Sequence, residues 1–150
     1  MSVAFRRESD EEHKEPRFEL PLPAGPNYVT PRGLRLIQAK VAELAGAETD
    51  EAKRKARYWG TRLATVQLAP SPAAGEIAIG ARVTIRLNGV EKTIDIVGHD
   101  EGEPAAGRVP FAAPLAAALI GAEVGERIDW NGKAEAIEVL AVTAIPPEED

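Results

Sequence analysis

One stretch decides the fold of this chain: residues 96–126 read IVGHDEGEPAAGRVPFAAPLAAALIGAEVGE. Ile96 and Val97 close an apolar strand pattern, and the polar residues that follow predict a loop. The run from Pro114 to Ile120 begins with proline and is stopped by Gly121, which predicts a short helix. The stretch therefore joins strands to a helix and belongs to a unit that contains both.

The residues around this stretch predict an antiparallel sheet. Apolar and polar side chains alternate with the period of two that is typical of half-buried strands. Asn88-Gly89 is a strong signal for a two-residue hairpin, and Asn131-Gly132 turns a second one. The predicted strands are 81–87, 93–97, 109–111, 126–130 and 134–144. Strands of this kind with one short helix predict an α+β domain over residues 76–146.

Residues 29–69 predict two helices joined by a short turn. Thr30 can cap the first helix with Pro31 at its first position, and Thr49 or Asp50 can cap the second. Apolar residues recur every three or four positions in both segments, as expected for facing stripes of an antiparallel pair. They are Leu34, Ile37, Val41 and Leu44, then Ala52, Ala56, Trp59, Leu63 and Val66. This segment is predicted to be a short helical hairpin with coiled-coil packing.

The remaining segments are predicted to be connections or tails. Residues 1–28 mix charge with proline and predict a flexible or extended tail. Residues 70–75, which read PSPAAG, predict a linker. Residues 147–150 form an acidic tail.

Composition narrows the class of protein. The chain has 150 residues and a net charge of −6. Because it contains no cysteine, no disulfide framework is expected. It has no apolar run long enough for a bilayer and no apolar signal core, so a cytoplasmic protein without membrane contact is expected. Residues 30–69 carry 8 basic and 4 acidic side chains, whereas residues 70–150 carry 6 and 14. This asymmetry places any nucleic-acid contact near the basic segment.

Two motifs carry a resemblance to a known family. Residues 96–126 resemble the C-terminal domain of the GreA/GreB transcript-cleavage factors, whose pattern is roughly I-V-G-x-D-E-A-D-x-x-x-G-x-I-S-x-x-S-P-L-A-x-A-L-L-G-x-x-x-G-D. Residues 29–34, which read VTPRGL, are similar to the opening of that family's helical hairpin. The resemblance implies an FKBP-like sheet, the core RNA polymerase as partner and a role in transcription elongation.

The resemblance also implies which residues face the polymerase. Asp100 and Glu101 match the family's D-E pair and are expected to face a basic partner surface. Pro114 and Leu115 match the loop with which the family grips the polymerase rim helices. The serine that precedes this proline in the family is replaced by Ala113, which removes one hydroxyl.

The turn of the hairpin carries Glu48, Asp50 and Glu51. In the resembling family, acidic residues at this tip help to hold a Mg²⁺ ion in the polymerase active centre, and carboxylates suit that hard ion. However, the family's tip pattern, D-L-K-E-N-A-E-Y, is absent. A first helix of about 15 residues is only about 22 Å long, whereas the family's hairpins are nearly twice that. The tip is therefore expected to stop short of the catalytic centre, and no cofactor or metal is expected unless it reaches that far.

The basic run after the tip contains Lys53, Arg54, Lys55 and Arg57. Such side chains can contact the backbone of nascent RNA or of DNA without reading its sequence, although they also suit a solvated helix face. The chain is acidic and has no DNA-recognition motif, which argues against sequence-specific DNA binding.

These observations leave several functions open. The preferred one is a monomeric regulator that binds RNA polymerase and acts by occupying its secondary channel, without being an enzyme itself. A second is an active transcript-cleavage factor that uses the acidic tip. A third is a regulator of nucleoside diphosphate kinase of the Rnk type, a short-hairpin relative within the family. The last is an FKBP-like binding module or prolyl isomerase, for which Phe111 and Trp130 are the available aromatic residues.

Overall fold

The structure is a computed structural model that describes residues 19–147. Residues 1–18 of the predicted tail and residues 148–150 of the predicted acidic tail lie outside the described residues. The described helices are α1 (Pro31–Glu43), α2 (Asp50–Thr65) and α3 (Pro114–Leu119). The strands are β1 (Tyr28–Val29), β2 (Gln67–Leu68), β3 (Ala81–Leu87), β4 (Val90–Val97), β5 (Arg108–Pro110), β6 (Arg127–Trp130) and β7 (Lys133–Ala144).

Both long helices begin at the threonines that the sequence indicates. The Thr30 hydroxyl accepts a hydrogen bond from the Gly33 amide at 3.2 Å, and Pro31 occupies the first position of α1. The Thr49 hydroxyl accepts one from the Ala52 amide at 3.0 Å, which settles the choice between Thr49 and Asp50. Helix α1 ends at Glu43, and the chain turns through Gly46 at a φ of 78°, a conformation that glycine adopts easily.

The base of the two helices is closed by a small parallel sheet. Strand β1 precedes α1 and pairs with β2, which follows α2. The Gln67 amide donates to the Asn27 carbonyl at 2.9 Å, and the Ala69 amide donates to the Val29 carbonyl at 2.9 Å. These pairings bring the two ends of the hairpin together beside the larger sheet. Tyr28, which the sequence predicts to belong to the tail, is therefore part of the folded structure together with Val29.

The larger sheet has five strands in the order β5-β4-β3-β7-β6. Its central pairs are antiparallel as predicted, but β4 and β5 run parallel, with Ile96 beside Val109. The prediction of a purely antiparallel sheet is therefore wrong. The reason is that two 3₁₀ turns, His99–Glu101 and Pro104–Ala106, carry the chain back before β5 begins. The domain is α+β with a mixed sheet.

The core lies between this sheet and α3. Its largest fully buried members include Ile77, Ile85, Ile96, Leu119 and Ile137. The two tryptophans of the chain, Trp59 and Trp130, are only half-buried. Within residues 19–147, none of the helices combines the length and the apolar character that crossing a bilayer requires.

Candidate functional site at the base of the helical hairpin

Asp100 lies in the 3₁₀ turn that follows β4, and its carboxylate points at α2. The Tyr58 hydroxyl donates to Oδ1 at 2.5 Å, and Nε of Arg62 donates to Oδ2 at 2.7 Å. Tyr58 and Arg62 are four residues apart, so they project from the same face of the helix. Each oxygen of the carboxylate therefore holds one side chain of that face.

Arg62 connects this carboxylate to the segment before α1. Its Nη2 donates to Oδ1 of Asn27 at 2.7 Å, and Nδ2 of Asn27 donates back to the Arg62 carbonyl at 2.8 Å. The Arg62 and Asp100 side chains are 4% and 5% exposed. Buried charges persist when they are paired and hydrogen-bonded, and this guanidinium has both kinds of partner.

Glu101 is the next residue and holds the other helix. It is 2% exposed and accepts hydrogen bonds from the Thr30 amide at 3.1 Å, from the Thr30 hydroxyl and from the Gly98 amide at 3.0 Å. Thr30 is also the cap of α1, so the carboxylate lies at the amino-terminal end of that helix. Negative charge is favourable there because of the exposed amides and the helix dipole.

Two glycines make room for this carboxylate. A Cβ atom on Gly33 would lie 2.2 Å from Oε2 of Glu101. A Cβ atom on Gly98 would lie 2.4 Å from the Tyr28 carbonyl and 3.0 Å from Oε2 of Glu101. The first turn of α1 and the end of β4 can approach this closely because neither residue has a side chain.

We call this cluster the hairpin joint; it consists of Asn27, Thr30, Tyr58, Arg62, Asp100 and Glu101. Burial raises the pKa of Tyr58 to about 12, and its hydrogen bond to the Asp100 carboxylate adds to the rise. Burial lowers the pKa of the adjacent His99, and the positive charge of Arg62 adds to that effect. The His99 ring packs on Phe111 with a centroid distance of 4.7 Å. These shifts favour the protonated form of Tyr58 and the neutral form of His99.

Asp100 and Glu101 are expected to face a partner surface, and a contact of this turn with a polymerase stays a prediction. Their two carboxylates, however, do not point outwards. Both turn inwards and bind the molecule's own hairpin, because the 3₁₀ turn aims them at α2 and at the start of α1. Sequence reasoning missed Asn27, Tyr58 and Arg62, which satisfy these acids. Arg62 follows a run of surface-type basic residues, and nothing in its local pattern distinguishes it from them.

The other predicted polymerase contacts lie at the start of α3. Pro114 is exposed at its first position, whereas Leu115 is half-buried against the core. Two further apolar side chains just beyond this helix are exposed: Ile120 by 41% and Val124 by 56%. An apolar surface is thus available here, and its contact with a polymerase stays a prediction.

The hairpin tip presents its acidic residues to solvent. Glu48, Asp50 and Glu51 are all exposed. Asp50 and Glu51 occupy the first turn of α2, where their negative charge interacts favourably with the helix dipole. Glu51 also lies 3.5 Å from Nζ of Lys55. Within residues 19–147, no group of three or more acidic or histidine side chains is arranged to hold a metal ion.

The basic run lies on α2 between the tip and the joint. Lys53, Lys55 and Arg57 are exposed, and Arg54 is half-buried. Arg57 is paired with Glu19 by two hydrogen bonds, from Nε at 2.8 Å and from Nη2 at 2.5 Å. The segment before β1 therefore covers part of the basic face.

A groove with a volume of about 540 Å³ lies beside the linker. Its walls include Leu68, Pro70, Pro72, Ile79 and Ile145. Neither Phe111 nor Trp130 lines it. The groove thus lacks the aromatic residues that were considered for an isomerase pocket.

Comparisons with known proteins support the family resemblance that the motif in the sheet domain indicates. The family model described as "Transcription elongation factor, GreA/GreB, C-term" matches residues 71–145. The transcription elongation factors GreA of Sinorhizobium medicae and of Rhizobium meliloti are each 42% identical over 74 residues, which is 47% of this chain and 47% of theirs. GreA of Agrobacterium fabrum is 50% identical over 54 residues, which is 35% of this chain and 34% of its own. The matches span about half the length of these relatives or less.

Two solved structures are also similar over most of the chain. The GreA factor homolog Gfh1 of Thermus thermophilus shares 15% identity at a TM-score of 0.38, covering 80% of this chain and all of its own. The GreA/GreB factor of Nitrosomonas europaea shares 14% at a TM-score of 0.41, covering 80% and 99%. The structural likeness is too low to identify a family. The sequence match over the sheet domain identifies it, and the chain belongs to the GreA/GreB family of transcription elongation factors.

Proposed function

We propose that this protein is a transcription elongation regulator that docks on RNA polymerase through its C-terminal domain and places its hairpin in the mouth of the secondary channel. The observation that carries the proposal is the family match over residues 71–145, joined to a short hairpin. The protein acts by occupancy and is not an enzyme itself. The coiled-coil packing of the hairpin and the FKBP-like topology of the sheet are parts of this proposal.

The length of the hairpin supports occupancy rather than cleavage. Helix α1 has 13 residues and α2 has 16, which correspond to about 20 Å and about 24 Å at the helical rise. The family's cleavage factors have hairpins nearly twice as long. A tip that stops short cannot deliver its carboxylates to the polymerase metal, so the hairpin narrows the channel and competes with longer factors.

The docking surface in this proposal comprises the exposed start of α3 and the segment that follows this helix. Pro114 and the half-buried Leu115 form it together with Ile120 and Val124, and exposed apolar side chains of this kind are typical of contact surfaces. Lys53, Arg54 and Lys55 then lie near the nucleic-acid backbone, where they add affinity without reading sequence. The protein binds as a monomer.

The exposed acids of the tip favour one second candidate, an active transcript-cleavage factor. Glu48, Asp50 and Glu51 are accessible, and carboxylate oxygens suit Mg²⁺. In that case the polymerase supplies one metal and the tip helps to hold the other. The Rnk-type and FKBP-like alternatives have no comparable support in the described residues.

A backtracked elongation complex separates the two candidates. The purified protein is added to core polymerase with Mg²⁺, and binding and RNA length are measured together. Binding without RNA shortening supports occupancy. Shortening that disappears in Asp50→Asn or Glu51→Gln supports cleavage instead. Absence of binding overturns both and directs attention to a kinase or peptide partner.

A further inference from the structure

We propose that the hairpin joint sets the direction in which the hairpin leaves the sheet domain, so that Asp100, Glu101, Tyr58 and Arg62 are positioning residues for channel occupancy. The inference rests on the proposed function, because a direction matters only if the hairpin enters something. Its geometric part, however, can be tested without a polymerase.

The first step is that two adjacent carboxylates hold two different helices. Asp100 binds α2 through Tyr58 and Arg62, whereas Glu101 binds the start of α1 through Thr30. A single anchored helix could still swivel about its anchor. Two anchors on two helices leave the hairpin one orientation in which both carboxylates are satisfied.

The second step is that the buried hydrogen bonds of the hairpin joint can all form only in this orientation. The Arg62 and Asp100 side chains are almost fully buried, so water cannot replace a bond that is lost. Hydrogen bonds also weaken steeply when their angles depart from linearity. The ion pair of Arg32 with Glu103 also joins the hairpin to the sheet domain, but it is 3.9 Å long and its side chains are 29% and 54% exposed, so solvent can substitute for it. The joint is therefore the contact that determines direction.

The third step is the lever that α2 forms. From Arg62 to Asp50 the helix spans 12 residues, or about 18 Å at the helical rise. A tilt of about 10–20° at the joint would displace the tip by about 3–6 Å over that length. Such a displacement decides whether a narrow channel admits the tip, although the docking surface on α3 is unaffected.

The test measures the direction directly. The chain contains no cysteine, so Ala45→Cys in the hairpin turn and Val90→Cys at the exposed start of β4 accept two spin labels without further changes. Pulsed electron paramagnetic resonance then gives the distribution of distances between them. The joint variants are Asp100→Asn and Tyr58→Phe. The matched control is Tyr28→Phe, because the only other tyrosine has no hydrogen bond from its hydroxyl within residues 19–147.

We expect a narrow distribution for the parent and for Tyr28→Phe, and a distribution about twice as wide in Asp100→Asn, because the orientation is no longer a single state. The effect on elongation should fall about tenfold in Asp100→Asn while the Kd for polymerase changes less than about twofold, since only a fraction of molecules keeps the competent direction. A smaller broadening is expected for Tyr58→Phe.

The inference is overturned if both joint variants keep the parental distribution while near-ultraviolet circular dichroism shows a native sheet domain. It is also overturned if polymerase affinity falls in parallel with the effect, because the joint would then serve docking itself. If Asp100→Asn does not fold, Tyr58→Phe decides the question, since it removes one hydroxyl only. Failure of the parent protein to bind polymerase overturns the proposed function, and the distance measurement still decides whether the joint sets direction.

Discussion

Nε of Arg62 lies 2.7 Å from Oδ2 of Asp100, although 38 residues separate them in the chain. The two side chains form a buried ion pair that crosses from α2 to the sheet domain. Asn27 occupies another nitrogen of the guanidinium, and Tyr58 occupies the other oxygen of the carboxylate. A family motif expected on an outer surface is thus an internal link between the two parts of the molecule.

Removing the arginine should leave an uncompensated buried carboxylate. We expect Arg62→Met to lower the free energy of unfolding by about 3–5 kcal/mol, as is typical when one partner of a buried pair is lost. Urea titration followed by circular dichroism measures this. Arg57→Met on the same helix is the control, and its effect should be much smaller because the residue is exposed. Equal losses in the two variants would contradict a special role for the buried pair.

Replacing each of two helical glycines with alanine should change the free energy of unfolding in opposite directions. In Gly33→Ala the new Cβ would meet the Glu101 carboxylate at 2.2 Å, so the joint must open, and we expect a loss of about 1–3 kcal/mol. A Cβ on Gly60 of α2 meets no atom within 4 Å, so Gly60→Ala should gain about 0.5–1 kcal/mol from better helix propensity. Thermal unfolding of both variants checks the signs. A stabilised Gly33→Ala protein would show that the close approach at the joint is not required.

The joint should make the protein sensitive to alkaline pH. The folded pKa of Tyr58 is about 12 against an ordinary value of 10.0, so the folded state holds this proton more tightly than the unfolded state. The resulting stabilisation is fully present below pH 10 and is lost as the pH rises through about 12. In a Tyr28→Phe background Tyr58 is the only tyrosine, and its absorbance titration reports the midpoint. A midpoint near 10 would contradict the buried hydrogen bond to Asp100.

His99 should make the stability of the protein depend on pH in the acid range, and the sign of this dependence is opposite to that of Tyr58. Burial, followed by the charge of Arg62, holds its folded pKa below the usual 6.5, while the charge of Asp100 opposes the shift. The folded state therefore binds this proton less tightly than the unfolded state. Its stabilising contribution is present above pH 6.5 and is lost as the pH falls through the lower folded value.

Proton nuclear magnetic resonance can follow the two histidines of the chain, and a His13→Gln variant assigns them. The His99 midpoint should lie below 6.5. The acid loss of stability should also be smaller in His99→Gln than in the parent protein. A His99 midpoint at or above its usual value would show that the ring is solvated or paired in solution.

Local patterns predicted much of the secondary structure because their causes are local. Thr30 and Pro31 determine where α1 begins, and Thr49 does the same for α2, since caps act on the first turn that follows them. Asn88-Gly89 placed the first hairpin of the sheet for the same reason. The parallel pairing of β4 with β5 was not foreseen, because it depends on how two 3₁₀ turns redirect the chain.

The sequence by itself determined the helical hairpin, most of the strands and the family motif, because periodicity, capping and turn chemistry depend on residues close together in the chain. Only the tertiary structure decided what the acidic pair of that motif does. Asp100 and Glu101 find their partners 38 and 71 positions away, at Arg62 and Thr30. Whether a carboxylate faces solvent or a buried arginine depends on which distant segments the fold brings beside it, and no local pattern records that.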